Sequence, residues 1–114
     1  MSHVAVVSSP GFQPTVLQSP VPVLVDFYAD WCGPCRSLAP TLERLAAEFA
    51  GRLRVVKVNI DTAPALADMY RVSSIPTLVA FSQGTEIGRA TGLVPEQALR
   101  ESLAALVQPT RQAV

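Results

Sequence analysis

The sequence is poor in charge, in histidine and in cysteine. Charged residues make up 16% of its 114 residues, against roughly a quarter in an average domain. The 9 basic and 9 acidic side chains cancel. A nucleic-acid binder shows a basic excess, and this chain has none. Unbroken apolar runs extend only a few residues, too short for a membrane span of about 20. The start, MSHVAVVSSP, has no basic segment ahead of its four-residue apolar stretch. A secretory signal is therefore not expected, and a cytoplasmic location is. There is one histidine, His3, so neither a His-based protease site nor a four-ligand zinc site has its parts.

Hydrophobic residues, by contrast, make up 49% of the chain. A disordered chain is excluded, and one domain of this length buries about two-thirds of its unfolded surface without staples. Helical and extended patterns alternate. Val4–Val7 is a short apolar strand. Ser9–Gln18, with Pro10, Gly11 and Pro14, is a weak helix, and Ser19-Pro20-Val21-Pro22 is a turn. Val23–Tyr28 is apolar except at Asp26, the pattern of a strand buried on both faces. Pro34–Ala50 is the strongest helix. Pro34 suits a first helical position, Leu38, Leu42, Leu45 and Phe49 form one stripe, and Gly51 suits the end. Arg44 and Glu48 are spaced to pair on its outer side, and Pro40 predicts a kink. Leu53–Ile60 reads as a strand and Asp61–Tyr70 as a helix. Thr77–Phe81 and Thr85–Ala90 read as a hairpin around Gln83-Gly84, and Pro95–Val107 as a last helix. The alternation predicts parallel early strands, an antiparallel closing hairpin, and helices on both faces of one mixed sheet. One domain over 1–107 and a frayed tail over 108–114 are expected.

The only two cysteines, Cys32 and Cys35, form one C-x-x-C between a buried strand and the strongest helix. A disulfide there closes so short a loop that it stabilises by only about 2 kcal/mol. It is a poor staple, so the pair reads as redox or metal chemistry. Cys35 is in phase with the stripe 38, 42, 45, 49 and so faces the core. Cys32 sits at the helix start, expected to be exposed, where free N–H groups and the dipole favour a thiolate. One accessible thiol and one shielded partner is what two-step thiol–disulfide exchange requires. Asp26, in an apolar strand, is expected to be buried with a raised pKa. Lys57, the only lysine, lies inside the 53–60 strand, where the other reading is a side chain snorkelling from an edge. Ile75–Pro76 reads as trans on general frequencies, since about 5% of such bonds are cis. Trp31 also fits ordinary core packing.

FYADWCGPCRSLAP closely resembles the active-site segment of the thioredoxin family, and VLVDFYADWCGPC, KVNID and IPT extend the likeness over about Val4 to Val107. The resemblance implies an α/β thioredoxin fold, a five-stranded mixed sheet with four helices. It implies a protein-disulfide reductase acting through Cys32 and Cys35, with the Gly33-Pro34 spacer of a reductant. It makes Asp26 the proton acceptor for Cys35 and puts Lys57 beside Asp26. It makes Ile75–Pro76 cis and packed on the cysteines. Trp31, Ser74, Ile75, Pro76, Gly92 and Leu93 then edge a groove for disulfide-containing protein partners. No cofactor or metal is implied. A separate thioredoxin reductase supplies electrons, and the chain acts as a monomer. Tyr28, Ser74 and Leu93 depart from the Trp, Gly and Ala frequent in the family. The alternative is the same fold serving as a binding subunit of a larger enzyme.

Overall fold

A computed structural model describes residues 2–108. The elements are β1 Ala5–Val6, α1 Ser9–Phe12 continued by a π-helical turn Gln13–Leu17, β2 Val23–Tyr28, α2 Gly33–Glu48, β3 Arg54–Asn59, α3 Pro64–Met69, β4 Thr77–Ser82, β5 Thr85–Thr91 and α4 Glu96–Val107. The strands make one sheet in the order β1-β3-β2-β4-β5. β1 and β2 run parallel to β3, whereas β4 is antiparallel to both β2 and β5. This is the expected five-stranded mixed sheet with four helices.

Strand periodicity divides the core into two layers. Val23, Val25 and Phe27 of β2 join Phe12, Val16, Val56, Val58 and Leu66 on the face covered by α1 and α3. Leu24 joins Leu38, Leu42, Leu45, Val55, Leu99 and Leu103 on the face covered by α2 and α4. Asp26 and Tyr28 share the face of Leu24, and Lys57 shares that of Val55. The α2 stripe is as expected, with Cys35, Leu38, Leu42 and Leu45 buried, and α2 runs unbroken through Pro40.

Several boundaries differ from those expected. β1 shrinks to two residues, Ala5–Val6, flanked by the buried Val4 and Val7, with Val7 N–H still donating to Lys57 O at 2.9 Å. Pro14 has no N–H for an α-helical bond, and the chain widens there into a π turn, closed by Gln18 N–H donating to Gln13 O at 3.0 Å. α3 starts at Pro64 rather than Asp61. Asn59 Oδ1 accepts the Asp61 N–H at 2.8 Å and holds 59–62 as a turn. Gln83 and Gly84 both have positive φ, 52° and 81°, the geometry of a two-residue hairpin turn. A Cβ on Gly84 would lie 3.0 Å from Leu17 O, so a side chain there would be both crowded and strained at this positive φ. Of the expected tail, 109–114 lies outside the described residues.

The expected Arg44–Glu48 pair does not form. Arg44 reaches across to Glu96 at 2.6 Å, and Glu48 receives Arg100 at 2.9 Å. Arg100 also binds Glu96 at 2.9 Å. α4 thus offers forked partners, which outcompete a weak pair along one helix. Hydrogen bonds from Arg44 and then Arg100 hold the Glu96 carboxyl down at about 2. A depressed carboxylate stabilises above its unfolded pKa, and that gain is lost as pH falls through the folded one. Glu96→Gln is therefore expected to lower the melting temperature at pH 7, with the deficit narrowing below about pH 4 and in about 1 M salt. Melts across pH and salt check this, and a deficit independent of both contradicts it.

Candidate active site

β2 delivers the chain straight into the cysteine pair. Beyond Tyr28, Ala29 is buried and its carbonyl accepts the Cys32 N–H at 3.2 Å. Cys32 takes an extended backbone, φ −84° and ψ 111°, and caps α2. Its Sγ accepts the Cys35 N–H at 3.2 Å, so a sulfur occupies the place usually held by a capping oxygen. Gly33 and Pro34 form the first turn. Cys32 and Cys35 are joined as a disulfide with Cα atoms 5.2 Å apart.

Cys32 is not exposed as expected. Both cysteines are 4% accessible, because Ile75, Tyr28 and Ile60 pack over the Ala29–Cys32–Cys35 cluster. The sulfurs differ in surroundings rather than in burial. Cys32 Sγ has the helix N-terminal amide and, 3.9 Å away, the Ile75 carbonyl oxygen. Cys35 lines a pocket of about 160 Å³ with Asp26, Lys57, Tyr28, Asp30, Arg36 and Ala39.

Asp26 is 3% exposed and its Oδ1 has no hydrogen-bond partner. The sheet register sets it opposite Lys57 on β3 and Leu78 on β4. Desolvation pushes its pKa up to about 7, with the nearby Lys57 ammonium acting the other way. Lys57 is half-buried and forms no ion pair among the described residues. Its Nζ lies 5.1 Å from the centre of the Tyr28 ring. The snorkelling alternative thus gives way to a lysine turned over this pocket.

The other expected site residues fall on either side. Ile75–Pro76 is cis, and Pro76 O accepts the Gly92 N–H at 2.8 Å. Gly92 has φ 85°, which glycine adopts freely. Ser74 is exposed, and its carbonyl accepts the Thr77 hydroxyl at 2.6 Å. Leu93 is 59% and Trp31 67% exposed, so Trp31 is no core residue. Its indole N–H donates to Asp61 at 2.9 Å. Asp61, Asp30 and Arg36 were not singled out by the sequence. Arg36 follows Cys35 in the first turn and offered a signal. Asp61 offered none, because only the fold brings it to Trp31.

A family model described as Thioredoxin matches residues 3–105. Thioredoxin 1 of Nostoc sp. is 46% identical over 103 residues, 90% of this chain and 96% of the relative. Thioredoxin of Haemophilus influenzae is 40% identical over 99 residues, 87% and 92% of the two chains. The chloroplastic Thioredoxin M-type of Spinacia oleracea is 44% identical over 94 residues, covering 82% of this chain and 52% of the relative.

The raised Asp26 pKa has a consequence for stability. Below about pH 4 the carboxyl is protonated in the folded and unfolded chains alike, so it costs nothing. Between about 4 and 7 the unfolded chain ionises first, and stability falls by about 1.4 kcal/mol per pH unit, about 4 kcal/mol in all. Asp26→Ala removes that cost and leaves a small cavity worth about 1–2 kcal/mol. The variant is expected to be more stable than the parent by about 2–3 kcal/mol at pH 8, with the gain gone by pH 4. Urea melts across pH 4–8 measure it. A variant destabilised at every pH contradicts the assignment.

Proposed function

This chain belongs to the thioredoxin family, and from that premise we propose how its cysteine pair reduces disulfides in partner proteins. The chain is a thiol–disulfide oxidoreductase, and the family works with disulfide-bearing substrates and a reductase. In the dithiol form the Cys32 thiolate attacks one sulfur of a partner disulfide. An S–S bond forms between Cys32 and the partner, and the other partner sulfur leaves as a thiolate. Cys35 then loses its proton to Asp26, directly or through water in the pocket, and attacks Cys32 Sγ. The second partner sulfur leaves, and Cys32–Cys35 is restored as a disulfide. Two electrons have passed from the dithiol to the partner, and a reductase must return them.

The observation that carries this reading is the unlike surroundings of the two sulfurs. An amide N–H at a helix N-terminus stabilises negative charge on Cys32. A buried carboxyl with a pKa about 7 is matched to taking a proton near neutrality, and it shares a pocket with Cys35. Lys57 moderates that carboxyl. Gly33 and Pro34 set the spacing. Trp31, Ser74, Ile75, Pro76, Gly92 and Leu93 edge the partner groove, where backbone groups next to Pro76 pair with an extended partner segment. A dithiol that must be regenerated suits a reducing compartment, the cytoplasm.

Insulin reduction with dithiothreitol as electron source is the direct test of activity. Cys32→Ser is expected to abolish it. Cys35→Ser is expected to stop after the first step and accumulate a mixed disulfide through Cys32, seen by mass spectrometry. A full-length chain that fails to accelerate the reduction, or a mixed disulfide on Cys35, contradicts this reading.

A further inference from the structure

The pocket beneath the disulfide holds the Lys57 cation, which has no salt-bridge partner among the described residues and lies over the Tyr28 ring. Strand periodicity puts Asp26 and Tyr28 on the same face of β2, two residues apart. The parallel ladder pairs Asp26 with Lys57 and Tyr28 with Asn59, so Lys57 lies beside Asp26 and diagonal to Tyr28. A lysine on a four-carbon stem at a half-buried position ordinarily extends its ammonium to water. Here it is turned over the Tyr28 ring, 5.1 Å from the centroid, inside the distance of about 6 Å over which a ring face attracts a cation. No ion pair holds it among the described residues. Beside the longer-range attraction of the Asp26 and Glu43 carboxyls, the ring is the direct contact shown for the ammonium among the described residues.

We propose that Tyr28 is a positioning residue: its ring holds the Lys57 ammonium over the pocket shared by Asp26 and Cys35, and so biases the protonation of Asp26. This rests on the role given to Asp26 above. Other groups face this pocket from the neighbouring elements, and Glu43 on α2 lies within electrostatic reach of Lys57. β3 contributes Lys57, α2 contributes Cys35 and Arg36, the β2–α2 connection contributes Asp30, and β4 contributes only Leu78. Arg36 has another partner, since its guanidinium donates to Asp30 O at 2.7 Å. Lys57 is therefore the cation free to move, and the ring fixes where it stays. The requirement is for an aromatic face, so phenylalanine and tryptophan, which keep a ring face, are expected to keep the role even though phenylalanine gives up the phenol's bond to Asn59. The substitution of Tyr28 for the Trp frequent in the family is then neutral for this role.

The test follows the Asp26 carboxyl in the full-length oxidised chain by carbon-13 NMR titration. Tyr28→Phe and Tyr28→Trp are expected to keep the parent midpoint. Tyr28→Leu and Tyr28→Met, two ring-free replacements of different shape, are expected to raise it by up to about one pH unit, as loss of a nearby opposite charge does. Lys57→Met is expected to raise it as well, and Tyr28→Leu added to Lys57→Met is expected to move it no further. An unmoved midpoint in both ring-free variants overturns the proposal. So does an equal displacement with and without Lys57, which would mean the ring acts by shielding alone. The rate of mixed-disulfide release in the same variants separates the two readings. A midpoint that moves while release ignores it supports Tyr28 and counts against Asp26 as the base. Release that tracks Asp26 with a midpoint blind to the ring does the reverse.

Discussion

A carboxyl group lies under the disulfide-bearing helix with one oxygen unpartnered and almost no access to water. Much of the site can be read as a response to it. Burying a lone carboxylate is costly, and the cost is lowered by protonation or by a nearby opposite charge. The sheet supplies the charge: parallel pairing of β2 with β3 sets the chain's only lysine opposite Asp26. Among the described residues it does so without an ion pair, so the carboxyl stays poised near neutrality instead of being locked in its ionised form. A tight salt bridge would stabilise the fold more and leave a poorer proton acceptor. The arrangement gives up stability where the proposed chemistry calls for a group that can change charge.

The two cysteines inherit their roles from the same frame. Both are buried to the same extent, so accessibility alone does not rank them. Cys32 ends the loop from β2 and caps α2, where its sulfur meets the Cys35 amide. Cys35 is one turn on, in phase with Leu38, Leu42 and Leu45, and so looks down on the sheet at the Asp26 pocket. A short chain from strand to helix thus places one sulfur at a helix terminus and the other over a carboxyl. On the other side of the pair, Ile75 packs on the cluster and Gly92 binds Pro76.

Much of this was legible in the sequence, because much of it is periodic. The stripe through Cys35 and the apolar run around Asp26 gave α2, β2 and the order of helices and strands. The layered sheet followed from alternation. Non-periodic features were less visible. The π turn after Phe12 depends on a missing N–H at Pro14, and the late start of α3 depends on the Asn59 side chain. Arg44 passes over Glu48 of its own helix for Glu96 on α4, which no local pattern foretells. Trp31 fits a core as well as a surface until its indole is seen bonded to Asp61. The cis form of Ile75–Pro76 came from family resemblance and not from local propensity. The pairing of Lys57 with the Tyr28 ring needed the strand register, which only the folded sheet supplies.

In the proposed resolving step, Asp26 takes the proton of Cys35. This role is tested most directly by the pH dependence of mixed-disulfide release, measured by stopped flow in the parent chain and in Asp26→Asn. The parent rate is expected to rise with pH along a limb whose midpoint matches the titration of Asp26. Asp26→Asn is expected to lose that limb and to release the partner about a hundredfold more slowly near neutrality. An unchanged limb in Asp26→Asn would contradict the account and leave the buried carboxyl without a part in the chemistry.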